Sequence, residues 1–104
     1  MNQNADGPVR LTLYVTGDAP RSRRARTNLG RALASLKLSA ETAREIDLIQ
    51  SPQEALRHGI FATPALLRQT GDEQPAILYG DLSNEISLQQ FLNGLTSQRS
   101  TDDA

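Results

Sequence analysis

Few side chains in this sequence are of a type that does chemistry, and most of them cluster at one junction. Residues 17–22, Gly17-Asp18-Ala19-Pro20-Arg21-Ser22, join an alternating apolar run to a helical one. Ser22 stands at the head of that helix. It can activate a bound thiol by hydrogen bonding or satisfy backbone N–H groups, and the second is the usual work of a serine there. His58 is the only histidine. It precedes Gly59 at the end of a short helical stretch, where a cation is favoured, and with no nucleophile or ligand set beside it a structural role is expected. Asp18, Asp47 and Asp81 lack metal-ligand spacing, and no glycine-rich phosphate loop is present. The chain has no cysteine, which removes disulfides, thiolate metal sites and thiol catalysis. These residues point to no cofactor and no metal, and they exclude dithiol exchange.

Charge is the stronger signal. The net charge is −1, but residues 1–40 hold seven basic side chains (Arg10, Arg21, Arg23, Arg24, Arg26, Arg31 and Lys37) against Asp6 and Asp18. The remainder is acidic. Such asymmetry suits steering of a protein partner or self-association. The arginines come without interleaved aromatics, so nucleic acid is not expected. The arginines read either as a solvated face or as a docking face for an acidic partner, and on the second reading Arg24 is able to make bidentate contacts.

The elements that hold these residues follow from period and punctuation. Residues 9–15, VRLTLYV, alternate as a strand, and Gly17 and Pro20 break it. From Pro20 to Leu38 the period is helical, with Ala25, Leu29, Ala32, Leu33 and Leu36 on one face and Arg23, Arg24 and Arg31 opposite. Asp18 or Ser22 is expected to cap it. A second strand covers 43–49. Ser51, Pro52 and Glu54 read as a capping box opening a short helix that Gly59 stops. In IFATPALLR (60–68), Pro64 cannot donate to a sheet ladder, so it opens a strand or sits at a tight turn with a cis bond. A hairpin loop over 70–75 leads to a return strand over 76–80. Gly80-Asp81-Leu82-Ser83 then forms a turn, with Ser83 capping a closing helix on Leu88, Phe91, Leu92 and Leu95.

The order is β-α-β-α-β-β-α, an α/β class with a four-stranded mixed sheet flanked by helices. It resembles the thioredoxin-like fold, in which a proline opening the third strand, here Pro64, is cis and faces the start of helix 1, and the first turn carries redox cysteines. Here that turn keeps the scaffold without the thiols. By length there is one domain, over 9–97, with tails over 1–8 and 98–104. No apolar run is long enough to span a membrane, and no secretory signal is visible, so the cytoplasm is the expected compartment.

Five segments in register resemble the KaiB family of clock proteins: LYVTG (13–17) with Asp18-Ala19-Pro20, RSRRA (21–25), IDLIQSP (46–52), IFATPALLR (60–68) and GDLS (80–83). The resemblance implies a non-enzymatic regulator that docks on a KaiC-like hexameric ATPase and autokinase. Further implied partners are a KaiA-like protein or a histidine kinase. It also implies a homo-oligomer (dimer or tetramer) in one state and a switch between the thioredoxin-like fold and a ground-state fold. By the same resemblance, Ser22, Arg24, Thr42, Arg44 and Asp47 are the partner-binding positions, and Gly17, Pro64, Gly80 and Asp81 are structural motif positions. Two rival readings are a glutathione-binding protein, since TPALL and LSNEI resemble glutathione transferase N-terminal domains, and a self-assembling structural subunit.

Overall fold

The computed structural model describes residues 8–103. The chain runs β1 (Val9–Val15), α1 (Pro20–Ser35), a 3-10 turn (Ala40–Thr42), β2 (Ala43–Asp47), α2 (Glu54–Arg57), β3 (Ala65–Thr70), β4 (Ala76–Tyr79) and α3 (Glu85–Asp103). The strands lie in the order β2-β1-β3-β4. β1 pairs parallel with β2 and antiparallel with β3, and β3 pairs antiparallel with β4. Of the two tails expected from the sequence, residues 1–7 and 104 lie outside the described residues, and the backbone of α3 continues as helix through residue 103.

Alternation along β1 gives the sheet two different faces. Leu11, Leu13 and Val15 point with Leu66 toward α1 and α3, where Ala25, Leu29, Leu33, Leu88 and Leu92 complete the main core. Truncating any of these leucines to alanine costs about 2–5 kcal/mol, because the lost transfer energy adds to the cavity left behind. On the opposite face, Tyr14, Ile60, Ala65 and Leu67 form a smaller core. Among the described residues the four-residue α2 is its only helical cover, with Ala55 packed against it.

Every side-chain cap expected from the sequence is replaced. Ala19 precedes α1, and neither Asp18 nor Ser22 caps it. The capping box of Ser51 and Glu54 does not form. It needs the Ser51 N–H, which already donates to the Asp47 carbonyl at 3.0 Å. Glu54 pairs instead with Arg57 at 3.3 Å. Ser83 does not cap α3, because the helix starts at Glu85 and Asn84 holds the cap position, its Oδ1 accepting the Ser87 N–H at 3.0 Å. α1 ends at Ser35 rather than 38. Lys37 takes a left-handed φ of 63°, and the Leu38 N–H returns to the Leu33 carbonyl at 2.9 Å, a helix stop usually made by glycine.

Candidate functional site

The junction of β1 and α1 is built from side chains that reach it from three other segments. Within the turn, the Thr16 N–H donates to Ser22 Oγ at 3.0 Å, and the Ala19 N–H donates to the Thr16 carbonyl at 3.1 Å. From the end of β2, Asp47 Oδ1 accepts the Gly17 N–H at 3.0 Å and the Ile49 N–H at 2.9 Å. The second of these bonds turns the chain, which is why β2 stops at Asp47 and not at Ile49. From α1, Arg26 donates to the Gly17 carbonyl at 2.9 Å and pairs with Glu45 at 3.0 Å and Asp18 at 3.4 Å. From the loop before β3, the Thr63 hydroxyl meets the Thr16 hydroxyl, and the Thr63-Pro64 bond is cis.

A second knot continues this rim. The Gly80 N–H donates to the Pro64 carbonyl at 2.9 Å. Arg24 pairs with Asp81 at 3.1 Å, and Asn28 Nδ2 donates to the Asp81 carbonyl at 2.9 Å. The Asp81 carboxyl is held below the usual aspartate range, first by the Ser83 hydroxyl and then by Arg24. Asp47 is lowered too, chiefly by the Ile49 N–H and then by the Gly17 N–H, with Arg26 adding its charge.

The nine singled-out residues therefore divide. Gly17, Ser22 and Asp47 meet at the first knot; Arg24, Pro64, Gly80 and Asp81 meet at the second. Arg44, in β2, and Thr42, in the 3-10 turn before it, lie away from this rim, about 10–17 Å back along the chain from Asp47 at roughly 3.3 Å per residue. Arg44 pairs with Thr12 in register, on the sheet face away from α1. Ser22 is 1 % exposed and presents no contact surface in this conformation. A side chain that accepts a turn N–H from inside the fold cannot also touch a partner. Arg24 is exposed although ion-paired. Arg44 in β2 and Thr42 at the end of the 3-10 turn before it are both exposed.

Sequence reasoning missed Arg26, whose carboxylate partner Glu45 lies 19 residues away. It also missed the apolar side chains left in solvent around the first knot. Ile49 is 64 % exposed, and Leu56 and Phe61 are each 83 % exposed. Phe61 leans on Tyr79 with ring centroids 4.6 Å apart. The available signal was its place in IFAT, a loop segment outside any strand or helix period that would have buried it. The turn keeps its one serine hydroxyl buried and engaged. It offers an apolar rim beside an arginine-bearing helix, which is the composition of a contact surface.

Comparison with known proteins adds to this. No family model matches the chain. The circadian clock oscillator protein KaiB of Prochlorococcus marinus strain MIT 9211 is 32% identical over 89% of this chain and 92% of its own length. The circadian clock protein KaiB3 of Synechocystis is 34% identical over 71% and 72%. Among solved structures, the N-terminal domain of Synechococcus elongatus SasA superposes with a TM-score of 0.66 at 21% identity over 88% of this chain and 86% of that one. A mutant thioredoxin of Halobacterium salinarum gives 0.69 at 17% over 88% and 78%. Both structural likenesses show the thioredoxin-like fold.

Proposed function

Because the chain belongs to the KaiB family, we propose that it is a non-enzymatic regulatory protein that docks on a KaiC-like hexameric ATPase. The setting is circadian timing or a clock-derived stress or diurnal response in the cytoplasm. The observation that carries this reading is the state of the β1–α1 turn. Its polar groups are bonded internally, it holds no thiol, and Ile49 and Phe61 stand exposed beside it. A surface of that kind suits binding.

The division of labour follows from the chemistry. Arg21, Arg23 and Arg31 lie exposed on α1 without ion-pair partners among the described residues, and they steer approach to an acidic surface. Ile49 and Phe61 then supply the apolar anchors that slow departure. Thr42 and Arg44 extend contact along β2, and a KaiA-like protein or a histidine kinase is the further partner class for that edge. If the chain also rests in a second packing, its apparent affinity falls by the fraction of molecules in the docking-competent fold.

The test is titration of the host's KaiC-like hexamer with the labelled full chain, in ATP and in ADP. Saturable binding that differs between the nucleotides is expected. No binding under either nucleotide overturns the reading and leaves the family membership as a statement of descent and fold.

A further inference from the structure

The sheet face away from α1 and α3 carries charge that nothing among the described residues neutralises. Alternation puts Arg10, Thr12 and Tyr14 of β1 on it. The register sets Arg44 of β2 beside Thr12 and Gln69 of β3 beside Arg10. Because α2 is only four residues long, it covers the Tyr14 end and leaves the Arg10 end open. The result is a cleft of about 190 Å3 whose basic lining is Arg10, Arg44, Arg57 and His58, with Glu54 as the one carboxylate. Glu54 is taken by Arg57. Arg10 and Arg44 have no ion-pair partner among the described residues.

The floor holds a second feature. Tyr14 is 2 % exposed and lines the cleft, and its hydroxyl makes no hydrogen bond among the described residues. Burial, and then the charge of Glu54, raises its pKa, so the phenol keeps its proton and is a donor at neutral pH. The phenol donor at the floor thus has no protein acceptor among the described residues, and Arg57 and Arg44 are the cations whose charge reaches it, with Arg10 further along the same lining.

We infer that this cleft binds a phosphate dianion, either free or at the end of a short organic stem. Phosphate brings close to two negative charges at neutral pH and several acceptor oxygens. Arginine pairs with it through two parallel N–H donors. The volume is below the roughly 300–1,000 Å3 of sites that take drug-sized ligands, so the phosphate group itself is the ligand and a nucleotide is not. The site does not depend on the docking reading, because the chain alone forms it.

The experiment is an amide 1H–15N titration of the full chain with inorganic phosphate at pH 7.5, with ionic strength held constant by chloride. Saturating shifts are expected at Arg10, Thr12, Arg44, Arg57 and His58, with a midpoint at or below about 1 mM. The double variant Arg10→Gln/Arg44→Gln raises that midpoint at least tenfold while its spectrum stays folded, and Tyr14→Phe raises it severalfold. Arg23→Gln, on α1, leaves it unchanged. Glycerol 3-phosphate is the second probe: a lower midpoint assigns the site to a phosphate ester, an equal or higher one to the free ion. Shifts that never saturate overturn the inference, as does a midpoint unmoved in the double variant or moved equally by Arg23→Gln.

Discussion

Asp47 Oδ1 accepts the Gly17 N–H at 3.0 Å while also accepting the Ile49 N–H at 2.9 Å. One carboxylate thus fixes both the turn that leads into α1 and the turn that ends β2. Gly17 has a φ of +51°, and a Cβ there would sit 3.0 Å from Ile49 Cδ1. The two turns are packed as closely as a missing side chain allows. Whatever moves Asp47 moves the exposed Ile49 with it.

The charge of Asp47 predicts a pH dependence. Its pKa is depressed in the folded protein, so the unfolded chain binds the proton more readily. The stabilisation is complete above the unfolded value, about 3.9, and drains as pH falls through the lower folded value. Asp47→Asn keeps an acceptor oxygen but loses the charge. It should be less stable than the parent at pH 7, with the gap closing below about pH 4, as read from urea unfolding at a series of pH values. A gap that stays constant down to about pH 3 would mean the charge contributes nothing.

Ser22→Ala tests whether Ser22 acts through the turn or through a partner. Removing its hydroxyl strands the Thr16 N–H, which costs about 1–3 kcal/mol. The urea midpoint should fall, and binding by the folded fraction should persist. Lost docking with an unchanged midpoint would make Ser22 a contact residue and contradict its burial.

Several features of this fold were legible because they depend on neighbours in sequence. The alternation of 9–15, the helical period after Pro20 and the proline that opens β3 each report a local periodicity or a missing N–H, and together they gave the strand and helix order. The caps were not legible. Ser51 and Ser83 have the right type, but the Asp47 carbonyl had already claimed the Ser51 N–H, and α3 starts one residue too late for Ser83, with Asn84 at its cap position. Arg26 was invisible for a related reason, since Glu45 and the Gly17 carbonyl become its neighbours only after β1 and β2 pair. At the site, the burial of Ser22 was not legible, because burial of a serine is decided by the packing around it and not by its own spacing.

Lys37 holds a left-handed φ of 63° where α1 stops. A side chain in that conformation costs about 1–2 kcal/mol that glycine does not incur, although glycine also gains freedom in the unfolded chain. Lys37→Gly should therefore raise stability by up to about 1 kcal/mol, seen as a higher Tm. A lower Tm would show that the lysine stem contributes packing that outweighs the strain.

Phe61 separates docking from folding most cleanly. It is 83 % exposed and its one ring neighbour is Tyr79, so Phe61→Ala should change stability by no more than about 1 kcal/mol, mostly the ring contact. A large exposed aromatic that becomes buried in a complex is the residue type that carries interface energy, with truncation costing about 2 kcal/mol or more. Binding of the variant to the KaiC-like hexamer should weaken at least tenfold, chiefly through faster dissociation. Ile49→Ala should weaken it less, by severalfold, because fewer apolar atoms are removed. Arg23→Gln should instead slow association and reduce its salt dependence, since a charge at the rim acts before contact. Surface-bound hexamer with the three variants as analytes resolves these rates. If Phe61→Ala dissociates no faster than the parent chain, the apolar rim is not where the partner sits, and the arginine face of α1 with the β2 edge must carry the contact.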